Sequence, residues 1–183
     1  MNYKTNFNST YANRGMGLEY DINETNKYYV TYDIALIYKK PTPIRITKTD
    51  YKSMRVTDAF FESPSTLDYN GVYKGYYIEF DAKETRSKTS FNINNIHNHQ
   101  IEYIKKVIKH NGIVFLIVRF NLLNKDFILK GEDLIKFIND NDRKSIPLEY
   151  FKKNCYKLEI KYAPRLDYIK IVDKLIEEKC TSS

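Results

Sequence analysis

The run Tyr76-Tyr77-Ile78-Glu79-Phe80-Asp81-Ala82-Lys83 decides how this chain is read. Its alternation predicts a strand with Ile78, Phe80 and Ala82 on one face and Tyr77, Glu79, Asp81 and Lys83 on the other. Asp81 and Lys83 then point the same way. Upstream, Asp68 precedes Asn70-Gly71, a pair that predicts a tight turn folding the chain back so that Asp68 meets Asp81. Two carboxylates and a lysine so placed suit metal-assisted phosphodiester cleavage. A hard cation such as Mg²⁺ takes a few carboxylate oxygens plus water and phosphate oxygens, and an ammonium beside it offsets charge building on the phosphorane. The plainer reading of an Asp-x-Lys triplet is an exposed sheet edge with scattered charges, so the surrounding chain has to weigh between the two.

With 183 residues, 42% of them hydrophobic and 29% charged, the chain has the profile of one globular domain spanning 1–183. It contains no apolar run long enough to cross a bilayer, and Met1-Asn2-Tyr3-Lys4-Thr5-Asn6 leads into no apolar signal core; a cytoplasmic protein is expected. Cys155 and Cys180 lie in no metal-ligand spacing and suit reduced thiols, with a single bridge as the alternative. The net charge of +7 fits a polyanionic partner. Its distribution says more than its size. Arg86 and Lys88 flank the Asp81-Ala82-Lys83 triplet, and Lys39, Lys40, Arg45, Lys48, Lys52 and Arg55 fill one stretch, where they offer either a DNA-phosphate surface or simply a solvated loop.

Residues 1–11 are polar and expected to be loose. Leu18, Ile22, Thr25 and Tyr29 recur at helical spacing and predict an amphipathic helix over Ala12 to Tyr29, capped by Asn13. Glu19 falls at the edge of that stripe, where it either reaches solvent or leans over a neighbouring site. A strand is expected over Tyr29 to Tyr38, ended by Lys39-Lys40-Pro41-Thr42-Pro43. Ile44 to Phe61 alternates but is basic and poor in core material, which predicts a projecting two-stranded element. A loop through Asp68 returns the chain to the body. Past the 76–83 strand, Asn94 or Asn95 is expected to cap a helix running to about Asn111-Gly112, with Ile96, Gln100, Ile101, Ile104, Val107 and Ile108 on one side. Gln100 interrupts that stripe, so it either contacts backbone groups or faces the carboxylates, where its oxygen could reach a metal or its water. Ile113 to Phe120 predicts a central strand covered on both faces. A shorter strand over Asp126 to Leu129, a helix over Glu132 to Ile138 and a closing helix over Asp167 to Glu178 complete an α/β domain.

Seven segments in order carry a resemblance: Asn13-Arg14-Gly15-Met16-Gly17-Leu18-Glu19; Lys39-Lys40-Pro41-Thr42-Pro43; Pro64-Ser65-Thr66-Leu67-Asp68-Tyr69-Asn70-Gly71-Val72-Tyr73-Lys74-Gly75; Phe80-Asp81-Ala82-Lys83-Glu84-Thr85; the Gln100 helix; Arg143-Lys144-Ser145-Ile146; and Pro164-Arg165-Leu166-Asp167-Tyr168. Together they resemble the RecU-type Holliday junction resolvases of Gram-positive bacteria and their phages. The resemblance implies a restriction-endonuclease-like core, a central mixed β-sheet flanked by helices, with a protruding two-stranded stalk at about 39–65. It implies a homodimer that makes Mg²⁺-dependent symmetric nicks in four-way DNA junctions during recombination and repair, with Mn²⁺ able to substitute. By similarity Thr66, Asp68, Asp81 and Gln100 supply the metal site and Lys83 stabilises the transition state; Glu19, from its place at the edge of the first helix's apolar stripe, is a further catalytic candidate. Contact with the strand-exchange recombinase is also implied.

Two departures stand out. The family usually has Glu where this chain has Asp81 and Thr where it has Leu67. Losing one methylene draws the acid's oxygens back by about 1.5 Å, yet Asp is a hard-oxygen ligand of the same charge, and activity is expected to be retained. Glu79, on the same face, is a possible substitute ligand. His97, His99 and His110, with no close cysteines or carboxylate pairs, are expected on helix surfaces rather than around zinc. Two nicks across a pseudo-twofold junction call for two sites related by a twofold axis. The competing readings are a linear-duplex endonuclease of the same fold, for which no base-reading helix is evident, and a non-catalytic junction-binding or recombinase-modulating protein.

Overall fold

A computed structural model describes residues 17–62 and 66–181. The loose segment expected over 1–11 and the Asn13 cap lie outside the described residues. The chain runs α1 (Gly17–Thr31), β1 (Leu36–Lys39), β2 (Ile44–Asp50), β3 (Arg55–Phe61), β4 (Tyr69–Tyr73), β5 (Tyr76–Thr85), β6 (Ser90–Asn92), α2 (Asn98–Lys109), β7 (Ile113–Phe120), β8 (Lys125–Lys130), α3 (Gly131–Asp140), β9 (Ser145–Pro147), α4 (Leu148–Asn154), β10 (Tyr156–Leu158) and α5 (Ile169–Thr181). Six strands form one mixed sheet in the order β1-β4-β5-β7-β8-β10; β2 and β3 form a separate hairpin, and β6 pairs with β9. The α/β architecture with a flanked mixed sheet and a two-stranded appendage is the one expected.

The apolar run 113–120 is buried at every position in β7. It pairs in parallel with β5, the two joined through α2, and antiparallel with β8. A parallel pair needs a crossover of helix length, which the 98–109 segment provides. One sheet face packs on α1 and α5, where the rings of Tyr69, Phe80 and Phe115 stack across three strands at 4.8 Å spacings. The other face packs on α2, α3 and α4 over β7 and β8. That second layer leaves β1 and β4 uncovered: Leu36 and Val72, and beside them Tyr77 of β5, share one register and stay exposed. The open half of the sheet borders the residues singled out above.

Several expectations are corrected. The strand expected over Tyr29 to Tyr38 starts only at Leu36, because α1 continues to Thr31 and the chain then turns through Asp33 at φ 52°. Local β propensity yields there to packing: Tyr29 completes the buried stripe with Leu18, Ile22 and Thr25 and meets the Tyr168 ring edge-on at 5.2 Å. The turn expected at Asn70-Gly71 lies at Lys74-Gly75, where both residues have positive φ and Tyr73 pairs with Tyr76. Gly71 sits inside β4, where a Cβ would fall 2.0 Å from the Leu36 carbonyl oxygen; its glycine permits the close approach of β1. The helix expected from Asn94 or Asn95 begins at Asn98, preceded by a short 3₁₀ turn over Ile93–Asn95.

The β2–β3 hairpin stands apart from the core, with every residue exposed except half-buried Thr49. Both cysteines are free thiols, and no described helix is long and apolar enough to cross a membrane.

Candidate active site

Strand register assembles the site. Tyr69 of β4 lies opposite Phe80 of β5, so Asp68, one residue earlier, arrives beside Asp81 on the face away from the stacked rings. Asp81 is fully buried, and its oxygens are held from three directions. Oδ1 accepts the Ala82 backbone N–H at 2.8 Å; Oδ2 accepts Gln100 Nε2 at 2.6 Å and stands 2.9 Å from the Lys83 ammonium. Alternation along β5 puts Lys83 on this side, as read from the sequence.

Asp68 is half-buried. Loss of hydration, then repulsion from and a hydrogen bond to Asp81, push its pKa up from 3.8 to about 6, against the pull of Lys83 and Lys39. Asp68 and Asp81 thus interact directly, with Lys83 and Lys39 partly offsetting the burial of Asp68. Gln100 is buried, and it satisfies both alternatives left open by its place in the α2 stripe. Its Oε1 accepts the His97 backbone N–H at 3.1 Å, and its amide nitrogen faces Asp81. With its oxygen so occupied, Gln100 presents a donor rather than a metal-binding oxygen in this arrangement.

The remaining candidates fall around this centre. Thr66 is half-buried, its hydroxyl donating to the Leu67 carbonyl at 3.4 Å. It lines a groove of about 430 Å³ together with Asp68, Lys39, Lys40 and the Pro41-Thr42-Pro43 lead into the hairpin. Leu67, at the position where the family has Thr, is buried in the second core layer. Glu19 neither points freely to solvent nor touches Asp81; it pairs with Lys39 at 2.5 Å, and Lys39 in turn acts electrostatically on Asp68. Lys40 is also engaged, its ammonium held by Glu79. Arg45, Lys48, Lys52 and Arg55 lie on the exposed hairpin and the turn at its tip, and Arg86 and Lys88 are exposed in the loop after β5. None of these six has an ion-pair partner among the described residues.

Three participants escaped the sequence reading. Glu84, next to Lys83, accepts the Leu18 N–H at 3.0 Å and so ties the start of α1 to β5. Arg119 on β7 makes two bonds to Asp126 at 2.7 and 2.8 Å and one to Asp21 of α1 at 2.9 Å, all buried. Tyr103 lies one helical turn beyond Gln100 on α2 and donates to Glu79 at 2.9 Å. Burial, then the bond to Glu79, keeps its phenol well above the ordinary tyrosine pKa, so it remains a donor. Only the spacing of Gln100 and Tyr103 on one face hinted at this last contact.

Comparison with known proteins identifies the family. A family model described as Recombination protein U matches residues 13–174. Holliday junction resolvase RecU of Bacillus cereus (strain B4264) is 49% identical over 170 residues, which cover 90% of this chain and 85% of that protein. Holliday junction resolvase RecU of Staphylococcus aureus (strain JH9) is 49% identical over 175 residues, covering 92% and 84%. Near-full-length identity of this order, with Asp68, Asp81 and Lys83 gathered beside a projecting hairpin, places the chain in the RecU family.

Proposed function

We propose that the chain is a Mg²⁺-dependent endonuclease that resolves four-way DNA junctions by paired, symmetric nicks, working in the cytoplasm as a homodimer. The observation that carries this reading is the Asp68–Asp81 pair with Lys83 at 2.9 Å, standing at the root of an exposed basic hairpin. The names of the relatives, both junction resolvases, supply the substrate.

The donor set suits a hard divalent cation. Asp68 and Asp81 offer carboxylate oxygens; burial, then repulsion from Asp81, raises the Asp68 pKa, and a bound cation would offset that cost. A Mg²⁺ ion held by two carboxylates would complete its shell with water and phosphate oxygens, and Mn²⁺ would fit the same ligands. The bound cation would supply Lewis-acid activation of water and of the scissile phosphate.

The protein's own side chains supply orientation and charge. Gln100, the Ala82 N–H and Lys83 fix the Asp81 carboxylate in one rotamer. The Lys83 ammonium, beside Asp81, would offset negative charge that accumulates on the phosphorane. Asp81, although shorter than the family's usual Glu, brings the same charge and already reaches its partners. Thr66 and the groove wall would guide the backbone toward Asp68. The hairpin, as the stalk over about 39–65, would enter the junction with Arg45, Lys48, Lys52 and Arg55 on phosphates, while Arg86 and Lys88 serve the flanking arm. Two such sites about a twofold axis match the symmetry of the junction. A strand-exchange recombinase remains a proposed further partner.

The test compares nicking of a mobile four-way junction and a matching linear duplex, with Mg²⁺, Mn²⁺ or EDTA, by the wild type and Asp68→Ala. Paired junction nicks that need both the cation and Asp68 are expected. Equal cutting of the duplex would point to a linear-duplex endonuclease, and tight junction binding with no cleavage would point to a non-catalytic junction protein.

A further inference from the structure

Glu79 lies on the Asp81 face of β5, two residues before it, with no exposed surface. A buried carboxylate is unfavourable unless it is paired and hydrogen-bonded, and an apolar side chain of similar volume is often no less stable in its place. Glu79 is fully engaged. Its Oε1 holds the Lys40 ammonium, and its Oε2 accepts the hydroxyls of Tyr77 and Tyr103. With both oxygens so committed it is not a spare metal ligand, the role its position in the sequence suggested. Lys40 in turn sits where β1 ends and Pro41-Thr42-Pro43 leads into the hairpin, and its backbone N–H donates to the Asp68 carbonyl at 2.7 Å. One residue therefore grips the catalytic strand with its side chain and Asp68 with its main chain.

We propose that Glu79 is a positioning residue for cleavage: through the Lys40 ammonium it fixes the root of the hairpin against β5, and through the Lys40 N–H it sets where the Asp68 carboxylate stands relative to Asp81. The ligand affected is the divalent cation that those carboxylates would hold, so the inference rests on the nuclease reading above. Tyr77 and Tyr103 orient Glu79, and the Lys40 ammonium also lies 5.6 Å from the centre of the Tyr103 ring, which restrains it further.

The test uses the full chain with Glu79→Gln, Lys40→Met, Lys40→Arg and the Glu79→Gln/Lys40→Met double variant. Thermal midpoint, Mn²⁺ affinity by calorimetry, and single-turnover nicking of an enzyme-saturated junction are measured for each. Glu79→Gln and Lys40→Met are each expected to weaken Mn²⁺ binding and slow nicking by about tenfold, the scale of lost outer-shell support. The double variant should be no worse than either single one, since both remove the same link, and Lys40→Arg should recover most of the loss. Wild-type Mn²⁺ affinity and nicking in Glu79→Gln would overturn the proposal. So would a lowered thermal midpoint with unchanged Mn²⁺ affinity, or multiplying effects in the double variant. If Glu79→Gln does not fold, Lys40→Met and its arginine counterpart decide. A wild type that binds Mn²⁺ but cuts no DNA would sink the nuclease reading, while the Mn²⁺ titrations would still decide the positioning role.

Discussion

Gln100 Nε2 stands 2.6 Å from Asp81 Oδ2 while Gln100 Oε1 accepts the His97 N–H at 3.1 Å. The start of α2 and β5 are thereby joined through one side-chain amide. Because the His97 N–H can only donate, it fixes which end of the amide meets the carboxylate. Gln100→Ala should slow single-turnover junction nicking by about 10- to 100-fold and leave junction affinity in Ca²⁺ unchanged. Wild-type nicking in this variant would show that Asp81 needs no such support.

Asp68 should trade stability for function. Its folded pKa of about 6 lies above the ordinary 3.8, so between these values the folded state binds more protons than the unfolded one, and stability falls as pH rises through that window. The penalty then persists at neutral pH. Asp68→Asn removes it, and after discounting for the group's partial exposure the gain should be about 1–2 kcal/mol, or roughly 2–6 °C in Tm, at pH 7.5 in EDTA. The gain should vanish near pH 4, and nicking should be lost throughout. Thermal melts across pH check this; a lower Tm for Asp68→Asn at pH 7.5 would contradict the raised Asp68 pKa.

The exposed cations of the hairpin should act on binding alone. Replacing Arg45, Lys48, Lys52 and Arg55 with serine should weaken junction binding and flatten its dependence on log salt by up to about 0.9 per lost phosphate contact. The nicking rate at saturating enzyme should stay within about twofold, since no catalytic group is touched. Gel shifts over a salt series and single-turnover assays separate the two effects. A collapse in saturated rate with unchanged affinity would place these residues elsewhere in the reaction.

Arg119 should be a stability determinant. Asp21 and Asp126 are nearly inaccessible, and both rely on its guanidinium, although Asp21 also receives Arg165 at 2.5 Å. Arg119→Met leaves Asp126 charged and unpaired in the interior and should destabilise the fold by about 3–5 kcal/mol. Urea unfolding at pH 7.5 measures it. A loss below about 1 kcal/mol would mean that water or Arg165 compensates.

How legible the site was depended on the range of the interactions. Asp81 and Lys83 share a face because strand alternation is local, and the all-apolar 113–120 run announced its own burial. Asp68 does reach Asp81, but by a turn at Lys74-Gly75 instead of Asn70-Gly71. Asn-Gly is a turn signal only where no strand from elsewhere needs the glycine; here β1, distant in sequence, crosses Gly71 too closely for any side chain. Gln100 meets both a backbone group and a carboxylate, but through opposite ends of its amide, which side-chain spacing along a helix cannot assign. The Glu79–Lys40 and Arg119–Asp126–Asp21 pairings were out of reach, because charge alone does not reveal which of 30 basic residues a buried acid will find. That selection is made by tertiary packing.

The hairpin leaves the sheet after β1 and returns before β4, and two main-chain rungs close its base: Lys40 N–H to Asp68 carbonyl at 2.7 Å, and Glu62 N–H to Pro43 carbonyl at 3.0 Å. Departure and re-entry points are thus held at a fixed separation whatever lies between them. Insertions, deletions or wholesale replacement beyond the Pro43–Glu62 rung need not disturb the β4–β5 register that aligns the two acids. A lineage carrying this fold can therefore retool the shape it probes without re-evolving the blade, and a protein engineer can graft there for the same reason.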